Sequence, residues 1–212
     1  MTMLTFWDQR YGQAEYVYGK KPNDFLKSVV HEIPKGRVLC LADGEGRNGV
    51  FLAVQGCNVT SVDQSSVGLH KALKLAADHG VVLETMVVDL TEFIIQPNHW
   101  DGIVSIFCHL PPVVRGYIHQ QVVSGLKVGG VFVLEAYTPQ QLQYQTGGPP
   151  TAELTMELQT LQQELSGLEF KHGVELEREI QEGFLHQGRS AVVQLLGFKN
   201  KLSLRTIPFP DP

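Results

Sequence analysis

Two glycine and acid patterns and one histidine carry the chemistry this sequence offers. Gly44-Glu45-Gly46-Arg47-Asn48-Gly49 forms a glycine turn in which Gly44 and Gly46 allow positive φ and close approach of a ligand. The spacing also satisfies the dinucleotide pattern G-x-G-x-x-G. Asp63 follows 19 positions after Gly44, where a carboxylate accepts hydrogen bonds from both ribose hydroxyls of an adenosine. Asp89 is an acceptor suited to an exocyclic amine such as that of adenine, and the next backbone N–H is available to a ring nitrogen. Either Asp alone also fits a helix cap or a turn. His109, in Phe107-Cys108-His109-Leu110-Pro111-Pro112, is a candidate proton acceptor near neutral pH, against the plainer reading of a histidine satisfied by backbone in a loop.

These positions need elements that bring them to one edge. Residues 38–41 are apolar with β preference, and a helical pattern runs over 48–55, so the glycine turn joins a strand to a helix. Residues 58–63 alternate as a second strand; Ser65 is placed to cap a helix with Leu69, Ala72, Leu73 and Ala76 on one face, ending at Gly80. Strands are predicted over 83–89, 102–107 and 131–137, with a helix over 112–126 before the last and Gly129-Gly130 as the entry to the fifth strand. Ahead of them, Asn23 or Asp24 can cap a helix running to about Val30. Alternating strands and helices mean a mostly parallel sheet covered on both faces, whose ligand lies at the carboxyl ends of the strands.

The last third breaks that rhythm. Residues 138–150 are a polar Gly/Pro loop, and Leu154, Leu158, Leu161 and Leu165 mark an amphipathic helix. Strands over 169–180 and 190–199, joined by a connection over 181–188, pair as an antiparallel hairpin. The fold class is therefore α/β: a Rossmann-like, mostly parallel seven-stranded sheet closed by that hairpin. One domain over 1–212 is expected, with a frayed tail over 206–212. Residues 1–23 carry Phe6, Trp7, Tyr11, Tyr16 and Tyr18, and read either as a strap on the surface or as a lid over the ligand.

Composition narrows the partners. A net charge of −5 gives no electrostatic grip on nucleic acid or anionic lipid. The opening residues lack a signal-peptide core and no stretch reaches the ~18 apolar residues of a membrane span, so a cytoplasmic protein is expected. Cys40, Cys57 and Cys108 lack metal spacing and read as small buried hydrophobes; no metal site is expected.

With the glycine turn, the acids ending the second and third strands, Trp100-Asp101 before the fourth, "LKVGGVFVLEAY" through the fifth and the closing hairpin, the chain resembles the class I S-adenosylmethionine-dependent methyltransferases. "FWDQRYGQAEYVYGKKPNDFL" and "YTPQQLQYQTGGP" make it most similar to the small bacterial tellurite-resistance-type enzymes. The resemblance implies S-adenosylmethionine as cofactor, with Ala42, Gly44 and Gly46 along its methionine part, Asp63 on the ribose, Asp89 and Leu90 on adenine, and Gln64 and Phe107 among the residues lining it. It implies a small-molecule methyl acceptor near residues 107–112. Two positions depart from the family pattern: Cys40 stands where many members have an acid and Ala42 where they have Gly, and Asp43 or Glu45 can supply the missing carboxylate.

A nicotinamide-dependent oxidoreductase built on the same turn is the rival. Its pyrophosphate suits a helix N-terminus, whereas Asp43 and Glu45 beside the turn suit a sulfonium cation. A non-catalytic cofactor-binding domain is a further alternative. Cys108 beside His109 reads as structural, and the run Glu175-Leu176-Glu177-Arg178-Glu179 as a solvated strand face. His186 and Arg189 are placed in the hairpin connection, within reach of the pocket mouth.

Overall fold

The two faces of each central strand already divide the core. Val38 and Cys40 point to one face of the first strand, Leu39 and Leu41 to the other, and all four are buried, as a strand inside a covered sheet requires. In the computed structural model, which describes residues 3–200, β1 (Arg37–Leu41), β2 (Asn58–Asp63), β3 (Glu84–Val87), β4 (Trp100–Ile106) and β5 (Leu126–Tyr137) are parallel neighbours. β6 (Glu169–Glu182) and β7 (His186–Phe198) complete a seven-stranded sheet of order β3-β2-β1-β4-β5-β7-β6, with β7 antiparallel to both β5 and β6. Helices α2 (Asp24–Val29), α3 (Arg47–Val54) and α4 (Ser66–Asp78) bury Leu26, Leu52 and Leu75 on the face of Val38. Helices α5 (Pro112–Gly125) and α6 (Leu158–Glu164) bury Ile118, Val122 and Leu161 on the face of Leu39. The sheet is the expected one.

Both expected caps are present. The Asn23 side chain accepts from Leu26 N at 2.9 Å, and Ser65 Oγ accepts from Gly68 N at 3.1 Å. A first helix, α1 (Met3–Tyr11), lies across the start of α4, in the aromatic segment read as a strap or lid.

Three differences from the expected elements have physical causes. β5 begins at Leu126, because Leu126 pairs with Trp100 ahead of an irregularity in the ladder, so Gly129-Gly130 lie within the strand. The helix marked by four leucines is reduced to α6 with a separate 3-10 turn at Ala152–Leu154. Helix propagation through 154 and 155 fails because their carbonyls are taken elsewhere: Leu154 O by His109 Nδ1 at 2.8 Å and Thr155 O by Arg115 Nη1 at 3.1 Å. The hairpin is longer than expected, with Glu182 paired to His186 and only Gly183, Phe184 and Leu185 in the turn. His186 and Arg189 are thus strand residues. The tail expected to fray, 206–212, lies outside the described residues. No helix among the described residues is long and apolar enough to cross a membrane.

Candidate active site

The order β3-β2-β1-β4 sets the carboxyl ends of four neighbouring parallel strands in a row. Connections leave β1 and β4 toward opposite edges, which opens a crevice between them. The residues just past these two strands, Ala42 and Phe107, both hold left-handed backbone, at φ 48° and 54°. Non-glycine residues adopt this region at a cost, and such strain concentrates at ligand sites. Both are half-buried, at the crevice.

The turn between β1 and α3 is held from two sides. Asp63, buried at the end of β2, accepts from Gly44 N through Oδ2 at 2.9 Å and from Ser65 N through Oδ1 at 2.8 Å. Each oxygen keeps a second acceptor site for a ribose hydroxyl. Burial raises its carboxyl above the ordinary value against these bonds. Asp43 turns underneath, where Oδ2 accepts from Ser61 Oγ at 2.5 Å and Oδ1 from Gly49 N at 3.3 Å. Burial lifts it to about 7. Its charge, after burial, is what pushes up the Cys40 thiol, so Asp43 brings its carboxyl to the Cys40 side of the turn.

Glu45, also buried, pairs with Lys71 at 2.5 Å and accepts from Tyr18 N at 3.4 Å. With Asp43 beneath the turn and Glu45 paired, neither carboxylate is free for a cation, and the expectation that they would receive a sulfonium is corrected. The glycines also divide their work differently from the expected cofactor contacts. A Cβ on Gly46 would come within 2.4 Å of Ala72 Cβ, and one on Gly49 within 2.4 Å of Asp43 Oδ2, so both serve packing inside the protein. Gly44 packs against the N-terminal segment, where a Cβ would meet Tyr11 Oη at 2.5 Å.

The remaining expected cofactor residues fall along the same edge. Gln64 is half-buried beyond Asp63, and Asp89 is exposed beyond β3. Asp89 Oδ1 accepts from Thr91 N and Thr91 Oγ1, leaving Oδ2 outward. The Leu90 side chain is buried in the core, so that residue can offer a ligand only its backbone.

His109 lies beyond Phe107, and both its nitrogens face backbone: Nδ1 the Leu154 carbonyl at 2.8 Å and Nε2 the Tyr137 N–H at 3.5 Å. Burial lowers it to about 4. This is the backbone-satisfied histidine, and the expectation of a catalytic base is corrected. Cys108 is buried, with its thiol pushed up by that burial to about 12. Arg189 points away, onto Glu177.

Rings of the aromatic segment, with Phe107, His186 and the unforeseen Tyr137, complete the site. Tyr11 is buried over Gly44 and Gly68 and stacks on Trp7 at 5.5 Å. Tyr18 packs on His186 at 4.5 Å, and Phe107, Tyr137 and His186 form a ring cluster with centroids 4.7–5.5 Å apart. Behind them a buried network joins five elements. Asn23 Nδ2 donates to Glu135 and Glu182, Arg47 Nη2 to Glu182, Arg178 to both carboxylates, and Gln194 to Glu135. Arg178 is therefore an internal partner, in correction of the solvated face expected for its run. The alternation within β6 that places Arg178 opposite its exposed neighbours was the available signal.

Residues 38–130 match the family model of a methyltransferase domain. A search of curated proteins finds no significant match. Among solved structures, a protein from work on conversion of a disulfide bond into a thioacetal group during echinomycin biosynthesis superposes with a TM-score of 0.76 at 14% identity, over 94% of this chain and 92% of that one. TehB from Haemophilus influenzae gives 0.69 at 20% identity, over 93% and 67%. The N-methyltransferase NodS from Bradyrhizobium japonicum WM9, in complex with S-adenosyl-L-homocysteine, gives 0.69 at 12%, over 92% and 97%. Residues 38–130 thus match a methyltransferase domain, and the solved structures, at 20% identity or below, share the fold of the chain.

Proposed function

We propose that the crevice between β1 and β4 holds S-adenosylmethionine and that the chain transfers its methyl group to a small-molecule acceptor beside Phe107. The juxtaposition of Ala42 and Phe107 in left-handed backbone, at the switch point and next to Asp63, carries the reading. The residues fit the cofactor. Asp63 keeps free acceptor sites for the ribose, and Asp89 presents a free oxygen for the adenine amine.

When bound, the cofactor supplies a carbon already activated by its sulfonium. Asp63 and Asp89 would hold the cofactor, which would supply an electrophilic methyl carbon whose leaving group is a neutral thioether. What remains for the protein is alignment and exclusion of water. The half-buried rings at the crevice do both, and we propose that α1 with residues 12–23 is the lid over them. Named relatives such as an N-methyltransferase support a small acceptor.

Isothermal titration with S-adenosylhomocysteine, beside NADH, tests the reading. Micromolar binding of the former, none of the latter, and at least tenfold weakening in Asp63→Ala and in the exposed Asp89→Ala are expected. Binding of NADH alone would make the turn a pyrophosphate site.

A further inference from the structure

Two buried polar atoms in the ring cluster have no hydrogen-bond partner among the described residues, Tyr137 Oη and His186 Nδ1. Tyr137 is fully buried and His186 is 8% exposed. A buried polar group left unpaired costs free energy comparable to a lost hydrogen bond, so an unpaired pair within one cluster points to an absent partner. The described residues leave both without a partner in hydrogen-bonding geometry. Ser190 Oγ stands close to Tyr137, and it also donates to Gly188 O and meets Thr146 Oγ1. Gly147 and Gly148 lie flat over the two rings: a Cβ on Gly147 would stand 2.7 Å from Leu185 O and 3.5 Å from Tyr137 Oη.

The rings of Tyr137 and His186 meet edge to face at 5.5 Å, and Phe107 closes the third side at 4.7 and 4.8 Å. The remaining face of His186 is covered by Tyr18. Tyr18 comes from outside the sheet, in the segment read as a lid, and its hydroxyl accepts from Arg10 Nη1 at 2.9 Å, so it covers the cluster without satisfying either atom. A flat ring thus already sits where a flat ring fits.

We infer that an aromatic acceptor bearing a hydroxyl, thiol or amine displaces the Tyr18 ring from His186 and hydrogen-bonds Tyr137 Oη and His186 Nδ1. The inference rests on the methyltransferase reading and names the substrate class of that site. Burial, then the charges of Arg47, Arg10 and Arg178, hold the imidazole neutral. With its proton on Nε2, Nδ1 accepts while Tyr137 donates. That pair matches a group that both donates and accepts, as a halide does not.

Fluorine NMR titration with 4-fluorophenol and with fluorobenzene, each with and without S-adenosylhomocysteine, tests it. The phenol is expected to bind about tenfold more tightly than fluorobenzene. Tyr137→Phe and His186→Phe are expected to bring the two probes within about twofold of each other, and Tyr18→Ala to tighten the phenol. Melting temperature and S-adenosylhomocysteine affinity should hold in Tyr137→Phe, which removes only an unpaired hydroxyl. Equal binding of the probes, binding of neither, or a preference that survives Tyr137→Phe overturns the inference. Loss of S-adenosylhomocysteine binding in the unmodified protein fails the methyltransferase reading instead, and the titration without it still decides the pocket.

Discussion

Asp43 is ionisable and sits under the turn that faces the cofactor, so its proton couples pH to the site. Burial, opposed by the bonds from Ser61 and Gly49, raises it from an ordinary 3.8 to about 7. A folded-state value above the unfolded one stabilises the fold fully below pH 3.8, and that stability is lost as pH rises through about 7. Asp43→Asn should therefore flatten the stability profile between those values, read from urea midpoints; an unchanged slope would mean that Asp43 is ionised throughout. Gly46 makes a steric prediction. Its φ of 83° and a Cβ position 2.4 Å from Ala72 Cβ should make Gly46→Ala cost about 2–4 kcal/mol. Gly80→Ala, at φ 67° in open space, should cost only about 1 kcal/mol in the same thermal melts.

Among the elements, the N-terminal segment depends on few anchors. Lys71 Nζ donates to the carbonyls of Tyr11, Gln13 and Glu15, and Asn23 ties the far end to Glu135 and Glu182 while capping α2. Asn23→Ala removes the cap and two bonds to buried carboxylates, each change worth about 1–3 kcal/mol. It should raise tryptic cleavage after the exposed Lys20 by tenfold or more; an unchanged rate would show that the segment is held without this network. On the opposite face, Arg115 and His119 of α5 both bond Glu164 of α6. Against its burial these bonds hold Glu164 down to about 2. The stability from this depressed carboxyl is present above pH 4.5 and lost as pH falls toward 2. Glu164→Gln is expected to lower stability at pH 7 by about 1–3 kcal/mol in urea unfolding, and to weaken that acid dependence.

For the whole molecule, two imidazoles oppose the Asp43 contribution in mild acid. His109 is held at about 4 and His186 well below its ordinary value, first by burial in both cases. Neutral when folded, they take up protons on unfolding below pH 6.5, so stability is present above that value and is lost as pH falls toward 4. His109→Gln should reduce that slope; an identical profile would mean that His109 contributes nothing to it.

The sequence by itself determined the strand alternation, the helix caps at Asn23 and Ser65, the glycine turn and the acids at 63 and 89. Each is a local matter of period, backbone freedom or capping chemistry, complete within about twenty residues. Tertiary structure alone decided which partners those groups meet. The four-leucine period reads as one helix until His109 and Arg115, 45 and 40 residues away, take the carbonyls it needs. Arg178 reads as solvated until β7 turns it toward Glu135, and Gly46 reads as a ligand contact until α4 arrives beside it. Whether a hydrogen-bonding atom is free or satisfied depends on contacts between residues far apart in the chain, so the role of His109 and the unpaired atoms of Tyr137 and His186 could emerge only once the sheet had assembled.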